Sequence, residues 1–280
     1  MNTASLLVKA RRAREKEHRL KPSLRLKTIG DIRAFIRDKG LVSTLVGNEL
    51  PSLIGAILGK PWKPTGRGFT SWLDWWNVQV SGHRIAYWLR ELSKDKDVIE
   101  MRIFRDTKTL VSSKLWPVMD PIVEHYHKLA SDHRILSTFE WRIMDVLEEK
   151  GPTRTDKLRI TLQLTGKTNT APFHRSLVKL ESLGLIVGYE DPKPERHLHA
   201  NIWRLWPQAF TERSNKGSPS YEKALEGLLQ CTIEAAVLVP EKEVADWFRW
   251  NDCLLEAKEA LVSSGKALRA GRFLLATTVA

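Results

Sequence analysis

The sequence STFEWRIMDVLEEKG at positions 137–151 has the pattern of an amphipathic helix. Its apolar residues recur at the three- and four-residue spacing of a helix, and Gly151 ends that pattern. The next segment, TRTDKLRITLQLTG at 153–166, predicts a short second helix that ends at Gly166. Two helices in close succession are the first part of a helix-turn-helix.

A third helix is predicted by TAPFHRSLVKLESLGL at 170–185, in which Phe173 and Leu177 share one face. The segment LIVGYEDPKPERHLHANIWRLW at 185–206 follows as an apolar strand, a polar tip and a returning strand. Three helices and a hairpin in this order predict a winged-helix unit. Such a unit commonly lays its third helix in the major groove of DNA.

The sequence before this unit predicts a second, related one. Thr28 is expected to cap a helix, and Pro51 is expected to lie in the first turn of another. A segment rich in aromatic residues follows, and Val98–Phe104 and Thr109–Leu115 are predicted to be short strands. Helices and strands here come in an order compatible with a helix-turn-helix.

The sequence after the central stretch predicts a third unit. Three helical segments follow one another, with Pro240 in the first turn of the second and Asn251 capping the third. KALRAGRFLLA at 266–276 closes the chain as one apolar strand. This is again the winged-helix order, with a shortened wing.

The predicted fold class is therefore α+β and mainly helical, with tandem winged-helix units joined by a short aromatic-rich strand segment. The predicted domains are a basic N-terminal arm (1–27), a first helix-turn-helix-like unit with the aromatic segment (28–130), a central winged helix (131–207) and a C-terminal winged-helix-like unit (208–280).

The charge of the chain favours a polyanionic partner. Its 280 residues include 45 Lys and Arg against 33 Asp and Glu, a formal charge of +12, and the pI is about 9.7. Residues 9–27 alone hold nine Lys and Arg against two Glu. Such an arm suits contact with phosphates, although a solvated helix would have the same composition. We expect double-stranded DNA as the partner and a monomer that encloses one duplex.

Several features argue against other classes of protein. No apolar run is long enough to span a bilayer, so we expect no membrane-embedded role. Cys231 and Cys253 lie outside any zinc-binding motif, so we expect no metal, no cofactor and a reducing compartment. The N-terminus lacks the apolar core of a signal peptide. A cytoplasmic location follows from these expectations.

Four segments resemble the AlkZ/YcaQ-like family, which contains bacterial DNA glycosylases that release alkylated and crosslinked bases. They are ELPSLIGAILGK (49–60), SWLDWWNVQVSGHRIAYWLREL (71–92), LTGKTNTAPFHRSLVKLESLGLIV (164–187) and VPEKEVADWFRW (239–250). The resemblance covers most of the chain after the basic arm and is closest to a short AlkZ-related branch. It implies a DNA-binding fold and a function in DNA repair.

One departure from the family leaves enzymatic activity open. Active members carry a Gln-x-Gln or Gln-x-Asp pair after a GLV-like stretch. The counterpart here is GLVSTL, which puts Ser43 and Leu45 in place of the pair. Neither pair occurs anywhere in the sequence. Any glycosylase chemistry must therefore use other groups.

Hydrolysis of an N-glycosidic bond needs a group that orients water and stabilisation of a cationic sugar. The catalytic candidates are Glu49, Asp74, Gln79 and His83. Glu49 would alternatively serve only as a carboxylate near a helix N-terminus, and His83 as a hydrogen-bonded side chain. The candidates for stacking on an extruded base are Trp72, Trp75 and Trp76, which would alternatively fill a core or a seam between units.

The expected DNA-facing residues lie on the second helix, around the third helix and on the wing. They are Arg154, Lys157 and Arg159; Lys167, Thr168, Asn169, Thr170, His174, Arg175 and Lys179; and Lys193, Arg196 and His197. Arginine and lysine contact phosphates and guanine edges. The alternative for all of them is an ordinary solvated helix face.

Three functions are compatible with the sequence. The first is a DNA-binding protein related to AlkZ-type glycosylases that acts on alkylated or damaged bases in duplex DNA. The second is a non-enzymatic DNA-binding regulator or architectural protein. The third is a protein-interaction scaffold, because fold alone does not determine function.

Overall fold

The computed structural model describes residues 2–44, 49–61, 79–80, 83–131, 135–164, 166–191, 201–209, 218–250 and 253–279. At 79–80 and 83–86 it describes the backbone alone. The fold is α+β and mainly helical, with small antiparallel sheets, as the sequence predicted. None of the helices in these ranges is long and apolar enough to cross a membrane.

The described helices and strands follow one another along the chain. The helices are α1 (Thr3–Glu17), α2 (Ile29–Lys39), α3 (Leu53–Leu58), α4 (Ile85–Leu92), α5 (Trp116–Ser131), α6 (Thr138–Lys150), α7 (Thr155–Thr161), α8 (Thr170–Ser182), α9 (Trp206–Ala209), α10 (Tyr221–Ala236) and α11 (Leu254–Ser263). The strands are β1 (Leu41–Ser43), β2 (Gln79–Val80), β3 (His83–Arg84), β4 (Val98–Phe104), β5 (Thr107–Ser112), β6 (Thr153–Arg154), β7 (Ile186–Glu190), β8 (Asn201–Leu205), β9 (Leu238–Pro240), β10 (Ala267–Ala270) and β11 (Phe273–Ala276). Short 3-10 helices lie at Lys167–Asn169 and Glu241–Asp246, among other places.

The same sheet order occurs three times. The three-stranded sheets run β1-β5-β4, β6-β8-β7 and β9-β11-β10, all antiparallel. In each, a single strand that follows a helix pairs with the second strand of a later hairpin. We call the three sets the first unit (α2 to β5), the central unit (α6 to β8) and the C-terminal unit (α10 to β11).

Local sequence signals explain where the helices of the central unit begin and end. Ser137 caps α6 by accepting a hydrogen bond from the Glu140 N–H, and the Glu140 carboxylate accepts one from the Ser137 N–H. This reciprocal arrangement satisfies two donors that the first turn of a helix leaves free. Leu177 and Leu180, on the predicted inner face of α8, are buried, and each such side chain stabilises the fold by roughly 1.5–3 kcal/mol.

The second helix of the central unit is shorter than predicted. The sequence placed its end at Gly166, whereas α7 ends at Thr161. Gln163 adopts a positive φ of 59°, which an α-helix cannot include. The Leu164 N–H then donates to the Arg159 carbonyl at 2.9 Å, and this bond closes the helix end.

Two boundaries in the first unit also differ from the prediction. Strand β5 begins at Thr107 and ends at Ser112, because Arg105 and Asp106 form a tight turn with positive φ angles of 50° and 54°. Pro51 precedes α3 instead of lying in its first turn, since Ser52 is the cap and accepts from the Gly55 N–H at 3.1 Å. The GLVSTL stretch contains β1, which the sequence did not predict.

The C-terminal unit differs from the prediction at two elements. Pro240 precedes a 3-10 helix at Glu241–Asp246 instead of an α-helix. The closing segment forms two strands, because Gly271 has a φ of +59° and permits a two-residue turn between Ala270 and Phe273. Asn251, the predicted cap of α11, lies outside the described residues.

The basic N-terminal arm is a helix packed on the C-terminal unit. Ala10 on α1 is fully buried, and it shares an apolar cluster with Leu275 and Val279 at the end of the chain. Just beyond α1, His18 is buried and its Nε2 lies 3.0 Å from the carbonyl oxygen of Ala235. The cations of α1 are therefore held on a fixed surface.

Burial, followed by the positive charge of Arg14, lowers the pKa of His18 to about 3. The unfolded chain binds a proton near pH 6.5, whereas the folded chain does not. Stability due to neutral His18 is therefore present above pH 6.5 and is lost as the pH falls below that value.

We expect His18→Gln to reduce this pH dependence, because glutamine can donate to Ala235 but does not titrate. The measurement is the free energy of unfolding in urea between pH 7.5 and pH 4. The wild-type protein should lose up to about 1.4 kcal/mol per pH unit more than the variant. The comparison includes His127→Gln on α5, and equal slopes in the wild-type protein and the His18→Gln variant would contradict the assignment.

Candidate nucleic-acid interface

Helix α8, the third helix of the central unit, is divided into an exposed beginning and a buried end. Thr170, His174 and Arg175 are exposed, as are Lys167 and Thr168 in the 3-10 turn before the helix. From Ser176 onward most residues are buried, including Glu181 and Ser182 near the C-terminus. The exposed beginning is the part of α8 that a DNA groove could reach. Asn169, also in the predicted set, is partly buried.

Arg159 shapes the turn between α7 and α8. Its Nη2 donates to the carbonyl oxygens of Leu164 at 3.1 Å and Gly166 at 3.0 Å, and its guanidinium lies 5.9 Å from the centre of the Phe173 ring. These contacts orient the entry into α8. The structure thus gives Arg159, predicted to contact phosphate, a positioning role.

Arg154 and Lys179 are also engaged within the protein. Arg154 forms ion pairs with Asp156 at 2.9 Å and Asp191 at 3.3 Å at the base of the β7–β8 hairpin. The Lys179 ammonium lies 2.8 Å from the Glu140 carboxylate, and it donates to a backbone carbonyl oxygen in the segment before α6 at 2.7 Å. Arg154 and Lys179 therefore stabilise the central unit, and their contact with DNA stays a prediction.

The pairing of Lys179 determines the ionisation of Glu140. Burial alone would raise the pKa of the Glu140 carboxyl group. Hydrogen bonds from Lys179 and from the Ser137 N–H outweigh burial, and together they lower the pKa. Glu140 is thus both half of a helix cap and the partner of a cation on α8, and it ties α6 to α8.

An open cleft of about 480 Å³ lies beside the exposed beginning of α8. Its lining includes Arg175 and His174 of α8 together with Asp106 and Arg249 from the other two units. Arg249 and Asp106 form a two-pronged ion pair with distances of 2.9 and 2.6 Å. Although its side chain is largely exposed, partial burial and then the nearby charge of Arg102 lower the pKa of His174.

Within the described part of the chain, Lys157, Lys167 and Arg175 form no ion pair, and all three are exposed. They are the members of the predicted cationic set that remain available for an external anion. The N-terminal end of α8 adds the partial positive charge that backbone N–H groups leave at a helix start. This end of α8 is the best-supported candidate for contact with a phosphate backbone.

The far end of α8 packs against β4 of the first unit, a contact that the sequence did not reveal. The Glu181 carboxylate lies 3.5 Å from the Arg102 guanidinium, and it also accepts a hydrogen bond from the backbone N–H of Arg102. Alternation along β4 places Arg102 on the same face as Glu100. Nothing in the spacing of these residues indicates a contact between segments nearly 80 residues apart.

Glu49, the first catalytic candidate, is part of an ion-pair network. Arg105 lies 2.9 Å from Glu49 and 2.9 Å from Glu243 of the C-terminal unit. Arg14 of α1 donates to the Glu49 carbonyl oxygen at 3.2 Å. These contacts favour a structural role for Glu49, which links α1, the first unit and the C-terminal unit.

The other predicted residues lie outside the described side chains. Gln79 and His83 lie on the two-stranded β2–β3 sheet, of which the backbone alone is described. The residues beyond the described ranges are Asp74, Trp72, Trp75, Trp76, Lys193, Arg196 and His197. Among the described residues, no group of three His, Cys, Asp or Glu side chains is arranged to hold a metal ion.

The fold and the interface together define a mainly helical α+β protein built from three units with one sheet order. The sequence model of the family described as AlkZ related matches residues 26–225. The chain therefore belongs to the AlkZ-related family.

Among solved structures, the Streptomyces sahachiroi DNA glycosylase AlkZ is similar to this chain, with a TM-score of 0.55 and 12% sequence identity. The similarity covers 99% of this chain and 71% of that one. At this identity, the comparison shows a shared fold. None of the curated protein sequences matches the chain.

We expect Lys179→Ala and Arg175→Ala to separate the structural cation from the exposed one. Lys179→Ala leaves the Glu140 carboxylate without its cation, so it should lower the free energy of unfolding by about 1–3 kcal/mol. Arg175→Ala should change it by less than about 0.5 kcal/mol. Urea denaturation at pH 7 measures both, and equal losses would contradict the distinction.

Proposed function

We propose that this protein binds duplex DNA through the beginning of α8 and acts in the repair of damaged bases. The observation that carries the proposal is the exposed group formed by Lys167, Arg175 and the N-terminal end of α8. Lysine and arginine beside a helix start suit phosphate, because their positive charge and the free backbone N–H groups of the helix can bind the same anion. Lys157 on the preceding helix extends the same cationic surface.

The repeated topology supports this proposal. A helix, a strand, two further helical elements and a hairpin follow one another in the central and C-terminal units, and the sheet order is shared by all three. We infer that the units are winged helices, a class whose third helix commonly enters the major groove. In that orientation, Thr170 and His174 at the start of α8 would face base edges.

The family and the solved relative support a role in DNA repair in preference to transcriptional regulation. The chain belongs to the AlkZ-related family, and the similar solved structure is that of a DNA glycosylase. A regulator usually reads paired half-sites as a dimer. Three linked units in one chain instead suit a monomer that contacts one stretch of duplex.

We expect the double variant Lys167→Ala/Arg175→Ala to weaken duplex binding by about tenfold or more at 100 mM salt. Each phosphate contact that is lost should also reduce the slope of log affinity against log salt by about 0.9. Fluorescence anisotropy with a labelled duplex at several salt concentrations measures both quantities.

The matched control is Lys94→Ala/Lys128→Ala, which removes the same charge from two exposed lysines elsewhere on the surface. It should change affinity much less than the α8 variant. Equal losses in the two variants would mean that binding depends on net charge and not on α8. A wild-type protein that does not bind duplex DNA would contradict the proposed function and favour a protein-interaction scaffold.

A further inference from the structure

Helix α1 is attached to two of the three units along one of its sides. Leu7 and Ala13 pack against the apolar cluster around Leu275 of the C-terminal unit. The Glu17 carboxylate at the end of α1 lies 2.5 Å from the Lys39 ammonium at the end of α2 in the first unit. Because these contacts already order α1, a ligand that binds its other side does not have to order the helix first.

Away from this packed side, α1 exposes three cations, Arg11, Arg12 and Lys16, which we call the basic face. In the part of the chain that the structure describes, these three form no ion pair. The acidic side chains of α1 do not neutralise them, because Glu17 binds Lys39 and Glu15 lies 3.9 Å from Lys21. The basic face therefore carries positive charge that the described part of the protein leaves unbalanced.

The spacing of the basic face suits a nucleic-acid backbone. Arg12 and Lys16 are one helical turn apart, and Arg11 and Lys16 are separated by about 7.5 Å along the helix axis. The phosphates of one DNA strand recur about every 3.4 Å along the duplex axis, so the face can reach on the order of two phosphates of that strand. Each such contact releases counterions and adds to affinity.

The packing of α1 favours a nucleic acid over a lipid surface. A helix that binds a membrane surface inserts an exposed apolar face among the lipids. In α1 the apolar face is used within the protein, since Ala10 is fully buried and Leu6 and Leu7 pack against the same cluster. Val8 is exposed, but a single valine adds little apolar area. The basic face offers a partner mainly charge, which suits exposed phosphates.

We propose that the basic face of α1 is a second contact for the phosphate backbone of duplex DNA, separate from the contact at α8. The proposal rests on the proposed function in DNA binding. A series of contacts connects the two surfaces: Arg14 of α1 donates to the Glu49 carbonyl oxygen, Arg105 pairs with the Glu49 carboxylate, and Asp106 lines the cleft beside α8. The family match begins at residue 26, so α1 lies outside the region that defines the family.

The test compares Arg11→Ala/Arg12→Ala/Lys16→Ala with the control Lys94→Ala/Lys128→Ala/Lys223→Ala, which removes the same charge from exposed lysines on α4, α5 and α10. Alanine suits an exposed helix position, so the α1 variant should keep the wild-type midpoint of urea unfolding. A third variant, Arg11→Lys/Arg12→Lys, keeps the charge. Fluorescence anisotropy at several salt concentrations measures the affinity for labelled duplexes of about 10 and about 30 base pairs, roughly one and three turns. Vesicles of anionic phospholipid serve as a second ligand.

We expect the α1 variant to bind the long duplex about tenfold or more weakly than wild type at about 100 mM salt. Its slope of log affinity against log salt should fall by up to about 2.7, because each lost phosphate contact contributes about 0.9. The short duplex cannot reach both surfaces at once, so its affinity should change by less than about threefold. The control and the Arg→Lys variant should stay within about threefold of wild type on both duplexes. Lys167→Ala/Arg175→Ala should instead weaken the binding of both duplexes.

Each contrary result has a separate meaning. Wild-type affinity and salt slope of the α1 variant on the long duplex would overturn the second contact but not the contact at α8. Equal losses in the α1 variant and the control would overturn it as well, since binding would then follow net charge. Vesicle binding that the α1 variant loses, with unchanged duplex affinity, would assign the basic face to lipid. A wild-type protein that binds neither duplex would overturn both proposals.

Discussion

The β4–β5 hairpin is the contact on which the arrangement of the three units depends. Its β4 strand packs against α8 of the central unit through Arg102 and Glu181. Its tip reaches the C-terminal unit, where the Arg105 N–H donates to the Trp247 carbonyl at 2.8 Å and Asp106 pairs with Arg249. The tip itself is the two-residue turn at Arg105 and Asp106, both of which have positive φ angles. One hairpin therefore contacts both of the other units.

This packing divides α8 into two ends with different chemistry. The first turns remain exposed beside an open cleft, where Arg175 can contact an external anion. The last turns are buried against β4, where removal of water makes ionisation of Glu181 unfavourable. Lys179 lies between the two ends, and its pairing with Glu140 ties α8 to α6. A single amphipathic helix thus has an exposed cationic end and a buried carboxyl group at the other.

The sequence predicted what depends on near neighbours. The cap at Thr28 and the buried face of α8 are visible as short-range patterns, and both predictions are confirmed. Long-range ion pairs are not visible in this way, since Arg105 and Glu243 are 138 residues apart. Lys179, which the sequence predicts to face DNA, thus has a partner within the protein that its own helix does not reveal. Helical spacing reveals which face a side chain occupies, but not what the rest of the chain brings to that face.

The burial of the Glu181 carboxyl group against β4 carries an energetic cost. Its pKa is raised from 4.5 to about 8, so at pH 7 Glu181 is mainly neutral in the folded chain and ionised in the unfolded chain. This difference lowers the free energy of unfolding. Each unit of the shift corresponds to about 1.4 kcal/mol, so the cost reaches a few kcal/mol at high pH, a large fraction of the stability of a typical domain. Glutamine at the same position would retain the hydrogen bond to Arg102 without this penalty.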